Sequence, residues 1–404
     1  MKDEIRKMAE IKMMNEIFEG VITKDAFEYT RTTFFKTKTS ESWRGRVDLS
    51  RSFYKEEKEA LNAMAFCFLL VKEQEEKGHE VNWNACIAYV IQRLIRKSLM
   101  WDMKPGNKKK FLKLMKDFLQ SVDNYVHETL LQQTGEKFTN AIYELAAQIS
   151  PEEKMLYEVA KHYTDLVEYK FIKDTIWFAD RNRIGRELKD ELERYKVDDY
   201  IGEDLGKLIS YLSWSRNINR WQGCGPTLNC NILCHMFETA IFGWFMAIEL
   251  NQKEPGSNIS PSQAFLVGLF HDVSELWTDD IPTPCKDYIK GEYDKTLRPL
   301  TEQLEREALE ENFYKALPEK VSKYFKENIM LEDLSDEEFH KFLKKADYFS
   351  ADCEVYWMIY QGSNNRLFFD ILKRSIKEKK RTPQIHKLLK KMYIMSLLHI
   401  PREP

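Results

Sequence analysis

The stretch His271-Asp-Val-Ser-Glu-Leu-Trp-Thr-Asp-Asp-Ile-Pro-Thr-Pro284 follows directly on the apolar run Ala264-Phe-Leu-Val-Gly-Leu-Phe270. The run predicts a buried helix, which ends in an adjacent histidine and aspartate followed by further carboxylates. Imidazole nitrogen and carboxylate oxygen are ligands that suit Mn, Co, Zn or Fe. Glu275 lies one helical turn after His271, so on a continuous helix it shares that face and can reach water held by the ion. The stretch therefore predicts a hydrolytic metal centre in a helical region.

Helical periodicity also dominates the rest of the chain, whereas strand signals are few and only 15 glycines occur. The fold class expected is therefore all-α. A charged segment with two glycines near residues 195–206 suggests two domains, 1–205 and 206–404. The predicted helices are 56–76, 84–101, 108–131, 136–148, 152–173, 180–195, 231–251, 262–276, 286–312, 336–360 and 384–398.

Bulk properties exclude several classes of protein. The 404 residues carry a formal net charge of −3, which provides no basic surface for nucleic acid and no polybasic membrane patch. The longest apolar runs are far shorter than a bilayer span, and the charged N-terminus lacks the apolar core of a signal peptide. Seven scattered cysteines favour a reducing compartment. We therefore expect a cytoplasmic protein that binds neither nucleic acid nor a membrane.

An internal comparison suggests that the first half is a decayed copy of the second. A shift of 179 residues places residues 84–91 over residues 263–270. The alternative is that two apolar helices match this well by chance. A decayed copy could not hold a divalent cation, because cationic side chains replace its carboxylates. Under the shift, Gln92 and Arg93 replace His271 and Asp272, and Arg96 replaces Glu275.

Other residues extend the metal motif on both sides. Asn219-Arg220-Trp221 precedes His235. Ala346-Asp347 lies in a later predicted helix, and the side of that helix that carries Asp347 is otherwise apolar. Together with the run 271–284, this order and spacing resemble the HD-domain hydrolases, and within them the bacterial 5′-deoxynucleotidase (YfbR-like) family, over about residues 212–360. The resemblance implies an HD-domain helical bundle with a metal site that removes phosphate from deoxynucleoside 5′-monophosphates. The first half would be a second helical domain, either a degenerate HD repeat or unrelated.

The resemblance also implies a role for each matching residue. The four ligands of one divalent cation (Co, Mn, Zn or Fe) would be His235, His271, Asp272 and Asp347. Glu275 would position or deprotonate the attacking water. The substrate would be bound by Arg220 at the 5′-phosphate, by Trp221 near the sugar, and by Asp280 at the 3′-hydroxyl. Arginine suits phosphate because its planar fork of donors matches phosphate geometry.

One position departs from the family pattern. An acidic residue usually precedes the first metal histidine, and this chain has Cys234 there. The segment between Trp221 and His235 is altered as well, so the base preference and the deoxy restriction stay open.

Several alternatives remain at the level of sequence. Asp347 could pair with Lys344 or Lys345 on a solvated face, and Cys224, Cys230, Cys234 and His235 could form a separate zinc site, although they lack the usual Cys-x-x-Cys pair. The protein could be another HD phosphohydrolase, such as a nucleoside triphosphatase or cyclic-nucleotide phosphodiesterase, or a non-catalytic nucleotide-binding or scaffold protein. It could form a homodimer, or its two halves could form a pseudo-dimer within one chain.

Overall fold

The computed structural model describes residues 54–99, 115, 117–174, 178–221, 230–254, 256–257, 259–278, 293–360 and 366–377. Within these ranges the chain is predominantly helical and forms no β-strand, although an isolated antiparallel bridge joins Asn219 to Asn231. The predicted all-α fold class is confirmed. The predicted helix at residues 384–398 lies outside the described residues. Among the described helices, none combines the length and the apolar character that a bilayer span requires.

The α-helices of the first half account for most of its described residues. They are α1 (Lys55–Lys77), α2 (Trp83–Leu99), α3 (Phe118–Thr134), α4 (Glu136–Ala146), α5 (Pro151–Ile172), α6 (Phe178–Arg194) and α7 (Val197–Tyr200).

The second half continues with α-helices joined by short 3₁₀ and π segments. The α-helices are α8 (Glu203–Leu212), α9 (Ile232–Lys253), α10 (Pro261–Phe270), α11 (Glu275–Thr278), α12 (Arg298–Ala308), α13 (Glu319–Asn328), α14 (Glu337–Tyr360) and α15 (Arg366–Lys377). The 3₁₀ segments are Ser213–Asn217, Tyr314–Ala316 and Leu331–Asp333, and the π segments are Tyr293–Leu297 and Leu309–Phe313.

Capping residues explain where the site-bearing helices begin. The side chain of Asn231 accepts a hydrogen bond from the backbone N–H of Cys234, which starts α9. Ser260 accepts one from Gln263 and is followed by Pro261 at the first position of α10. Asp336 caps α14 by accepting from the N–H groups of Glu338 and Phe339.

The sequence did not predict α8, α13 or α15. In α13 only Val321 and Phe325 are buried, so its apolar stripe is too narrow to stand out from the surrounding charge.

Residues of both halves contribute to one hydrophobic core. Phe68 of α1 packs against Phe270, Phe313 and Phe325 of the second half, with ring centroids 5.4, 5.8 and 5.1 Å away. α9 is central, because it packs against α10, α14 and α1. The division into two domains stays a prediction.

Buried polar contacts also join the halves. The carboxylate of Glu57, which is 1% exposed, accepts hydrogen bonds from Asn231 Nδ2 at 2.6 Å and from Arg216 Nε at 3.1 Å. Burial is the main reason that the pKa of Glu57 is raised. Since Asn231 caps α9, a residue of the first half helps to fix the start of the helix that carries His235.

Two glycines allow α9 and α10 to approach closely. A Cβ added at Gly268 would lie 2.8 Å from the Cα and 2.9 Å from the backbone N of Ala240. One added at Gly243 would lie 3.0 Å from the carbonyl oxygen of Ala264. Both contacts involve backbone, which cannot rotate away as a flexible side chain can.

We expect Gly268→Ala to lower the free energy of unfolding by about 1–3 kcal/mol through overpacking, although alanine is the better helix former. Denaturant unfolding followed by circular dichroism measures this. Gly256→Ala is the matched control, because a Cβ there meets nothing within 4 Å. An unfolding free energy for Gly268→Ala equal to that of the wild type would contradict the tight crossing.

Candidate metal centre

Three separate elements bring the predicted ligands together. His235 lies in the first turn of α9, His271 and Asp272 directly follow the end of α10, and Asp347 lies within α14. Since α9 packs against both α10 and α14, their side chains can converge on one point between the helices.

The distances show how closely these groups approach. Donor atoms of His235, His271 and Asp272 all lie within 4.8 Å of one another. His271 Nε2 is 3.1 Å and His235 Nε2 is 3.7 Å from Asp272 Oδ2. Asp347 joins from the other side, with its Oδ1 3.1 Å from His235 Nε2. The structure therefore brings His235, His271 and Asp272 together in one cluster, and Asp347 joins it through its contact with His235.

Hydrogen bonds at the far side of each ring orient the two histidines. His271 Nδ1 lies 2.9 Å from the carbonyl oxygen of Gly268, where it donates as Nδ1–H. Its Nε2 is buried and makes no hydrogen bond. His235 Nδ1 lies 3.3 Å from Glu354 Oε1 and 3.2 Å from Ser350 Oγ. This is the usual arrangement of metal-binding histidines, in which one nitrogen is fixed by an oxygen and the other is left for the cation.

The electrostatics of the cluster favour a positive charge at its centre. Burial and Arg220 act to lower the pKa of His235, but Glu354 and Asp347 outweigh them and raise it to about 9. Burial acts to raise the pKa of Asp347, yet Lys344 and the two histidines hold it well below its usual value. The carboxylate of Asp347 thus remains charged, which favours a cation beside it. Two imidazoles with two carboxylates form a suitable donor set for a divalent ion.

Arg220 and Trp221 lie beside this cluster. The backbone N–H of Arg220 donates to the carbonyl of Cys230 at 2.7 Å, which holds the segment against the start of α9. The guanidinium Nη1 lies 3.8 Å from Asp272 Oδ2. Trp221 has φ 62°, a left-handed backbone conformation that is costly for a bulky residue. Such strain persists only where surrounding contacts impose it.

The predicted continuous helix over residues 262–276 is wrong in one respect, because α10 ends at Phe270. Bonds between residues three apart, such as Val273 N to Phe270 O at 3.1 Å, replace the helical pattern after that point. His271 also uses Nδ1 to bind the carbonyl of Gly268, which draws its ring toward the end of the helix. Glu275 therefore begins a separate short helix, α11, although its charge still acts on Arg220.

Three further predictions concern Asp280, the pairing of Asp347 with a lysine, and a separate zinc site. Asp280, the predicted partner of the sugar 3′-hydroxyl, lies outside the described residues, as does Cys224. Asp347 does pair with Lys344, at 2.5 Å, but it is also buried and in contact with His235. Among the described residues the candidate ligand cluster contains no cysteine, so the separate zinc site gains no support.

Sequence reasoning missed Ser350 and Glu354. Both face His235, because they lie three and seven residues after Asp347 and therefore on the same side of α14. That spacing was the available signal. From sequence alone, this spacing could not be distinguished from an ordinary polar helix face, because the packing of α14 against α9 was not known.

The second half of the chain resembles known proteins. The model of the family described as 5′-deoxynucleotidase YfbR-like matches residues 207–393. A 5′-deoxynucleotidase of Cronobacter sakazakii is 35% identical over 78 residues, which cover 19% of this chain and 39% of that protein. A 5′-deoxynucleotidase of Vibrio cholerae is 28% identical over 143 residues, covering 35% and 70%. The 5′-deoxynucleotidase YfbR of Shigella boydii is 28% identical over 162 residues, covering 39% and 76%. The predicted resemblance of the second half to the YfbR-like 5′-deoxynucleotidases is thus confirmed.

Proposed function

We propose that this protein is a metal-dependent phosphohydrolase of the HD class that removes the 5′-phosphate from nucleoside monophosphates, with deoxynucleotides as the preferred class. The observation that carries the proposal is the approach of two histidines and two aspartates to one another beside a half-buried arginine. The names of the similar proteins support the same substrate class. A cytoplasmic location stays a prediction.

The ligands proposed for one divalent cation are His235, His271, Asp272 and Asp347. The cation would be Co, Mn, Zn or Fe, all of which accept this mixture of nitrogen and oxygen. When bound, such an ion lowers the pKa of water from about 15.7 toward about 7 and offsets charge on a phosphoryl oxygen.

The remaining roles follow from the position of each side chain. Glu275 would take the proton from the attacking water and return one to the leaving group. Arg220 would hold the phosphate through its fork of N–H donors. Its charge is secure, because carboxylates around it, led by Glu354, raise its pKa despite burial. Trp221 would pack against the sugar, and Asp280 would bind the 3′-hydroxyl.

A panel of nucleotides tests the proposed reaction. Protein loaded with Mn²⁺ or Co²⁺ should release inorganic phosphate from deoxynucleoside 5′-monophosphates, and less from the ribonucleotides. Pyrophosphate or triphosphate released from nucleoside triphosphates, or a linear monophosphate formed from a cyclic nucleotide, would instead identify another HD phosphohydrolase. Metal and nucleotide binding without any turnover would support the non-catalytic alternative.

We also propose that the first half is a decayed copy of the second. Aligning α1 with α9 at their first residues puts Lys58 on His235, and aligning α5 with α14 puts Lys161 on Asp347. The same alignment puts Glu168 on Glu354, and the contact is repeated, because Lys58 Nζ lies 3.4 Å from Glu168.

In the decayed copy, cationic side chains take the place of ligands. Lys58 and Lys161 both pair with Asp165, at 3.0 and 3.4 Å. Ammonium groups at these positions satisfy the carboxylates and leave no place for a metal ion. If the second half resembles a protein that dimerises, the first half would take the place of the second subunit. The two halves of one chain would then form an internal pseudo-dimer. The alternative is a homodimer of two whole chains.

His271→Ala should weaken Mn²⁺ binding by more than the roughly 10–100-fold loss typical of an outer-shell partner, because a direct ligand is removed. Isothermal titration calorimetry without substrate measures this. His340→Ala is the control, since that ring binds the backbone carbonyl of Leu334 away from the cluster. Equal affinities of wild type and His271→Ala would remove His271 from the ligand set.

Glu275→Gln should lower kcat by about 10²–10⁴-fold, the usual contribution of a general base. It should leave Mn²⁺ affinity close to that of the wild type, because Glu275 is not a proposed ligand. Phosphate release and metal titration on the same preparation test both statements. Turnover at the wild-type rate would show that another group accepts the proton.

The proposed copy predicts one tightly bound metal ion per chain. Elemental analysis of metal-loaded, desalted protein should give a ratio near one, and near zero for His271→Ala. A ratio of two would contradict the loss of the first site.

A further inference from the structure

We propose that Glu354 is a positioning residue that fixes His235, a proposed metal ligand, relative to Arg220 and Trp221, which are proposed to bind the phosphate and the sugar. The inference rests on the proposed function, and it assigns to the site a residue outside the predicted ligand and substrate set. Glu354 lies on α14, two turns after Asp347, and its side chain is fully buried.

The two carboxylate oxygens of Glu354 face different parts of the site. Oε2 accepts hydrogen bonds from Trp221 Nε1 at 2.7 Å and from Arg220 Nε at 3.3 Å. Oε1 lies 3.3 Å from His235 Nδ1. One side chain therefore contacts two of the groups proposed to bind the substrate and one group proposed to bind the metal.

The chemistry of these partners requires a carboxylate. Arg220 Nε–H and Trp221 Nε1–H are donors only, and His235 must donate from Nδ1 if its Nε2 is to bind a cation. An ionised carboxylate is an acceptor at both ends. Glutamine has the same length, but only its amide oxygen accepts hydrogen bonds. Its NH2 group would therefore face one of these donors. The charge of Glu354 is itself tolerated in the interior because Arg220 lies against it.

Two consequences follow for the site. The contact of Oε1 with Nδ1, together with the hydrogen bond between Ser350 Oγ and Nδ1, orients the ring of His235 so that Nε2 points toward Asp272 and Asp347. The hydrogen bond to Oε2 holds Trp221 in its left-handed backbone conformation, with φ 62°, which is costly for a bulky residue. Loss of Glu354 should therefore weaken metal binding and substrate binding together, although Glu354 would touch neither.

Glu354→Gln tests the inference, with Mn²⁺ affinity measured by calorimetry in the absence of substrate. We expect affinity to fall about 10–100-fold, as for other outer-shell partners of metal histidines. The KM for a deoxynucleoside monophosphate should also rise when measured at saturating Mn²⁺, since Arg220 and Trp221 lose their shared acceptor.

Asp352→Asn is the matched control. Asp352 is another buried carboxylate of α14, and it accepts a hydrogen bond from Ser375 rather than from the site. Its loss should affect the unfolding free energy but not Mn²⁺ affinity or KM. If both variants reduced Mn²⁺ affinity equally, the effect of Glu354 would be one of general stability and the inference would fail.

A second variant covers the case in which Glu354→Gln does not fold. Glu354→Asp keeps the buried charge but is one methylene shorter, so it cannot serve both ends, and either Mn²⁺ affinity or KM should worsen. Wild-type values of both in a folded Glu354 variant would overturn the inference while leaving the proposed function intact. Failure of the wild-type protein to bind Mn²⁺ would instead reject the proposed function.

Discussion

An excess of carboxylate in the buried and half-buried surroundings of His235 is the constraint on which the site depends. Four carboxylates act on Arg220, namely Glu354, Asp272, Asp347 and Glu275. Arg220 and Lys344 oppose them. Burying unbalanced charge is expensive, and removing one partner of such a group leaves another uncompensated. A divalent cation between the imidazoles would offset this charge, so the residues that are costly to bury together also form a suitable donor set for a metal ion.

Local sequence rules predicted the parts of the structure that local interactions determine. Apolar periodicity identified α9 and α14, and the pair His271-Asp272 was expected directly after an apolar run, within a helix over residues 262–276. The end of that helix at Phe270 was not predicted, because it depends on a contact between an imidazole and the carbonyl of Gly268. The alternation of apolar residues gives no information on such a contact.

Long-range contacts account for what sequence reasoning missed. Glu354 is 133 residues away from Trp221 along the chain, so no spacing rule connects them. The run Lys55-Glu-Glu-Lys-Glu59 resembles a solvated helix end, yet all five residues are buried. Groups distant in the chain balance charges of this run, such as Asp165 for Lys58 and Arg216 for Glu57. Sequence rules predict that a charged residue is exposed, because they do not reveal a distant partner that would allow it to be buried.

The first half thereby contributes to a site that lies in the second. Glu57 binds both Arg216 and Asn231, and these two residues flank the segment that carries Arg220 and Trp221. Glu354 holds the same segment from within. Two buried carboxylates, one from each half of the chain, therefore hold the described parts of this segment, Glu57 at Arg216 and Asn231 and Glu354 at Arg220 and Trp221. Because Asn231 also caps α9, the position of Arg220 and that of His235 depend on the same pair of carboxylates.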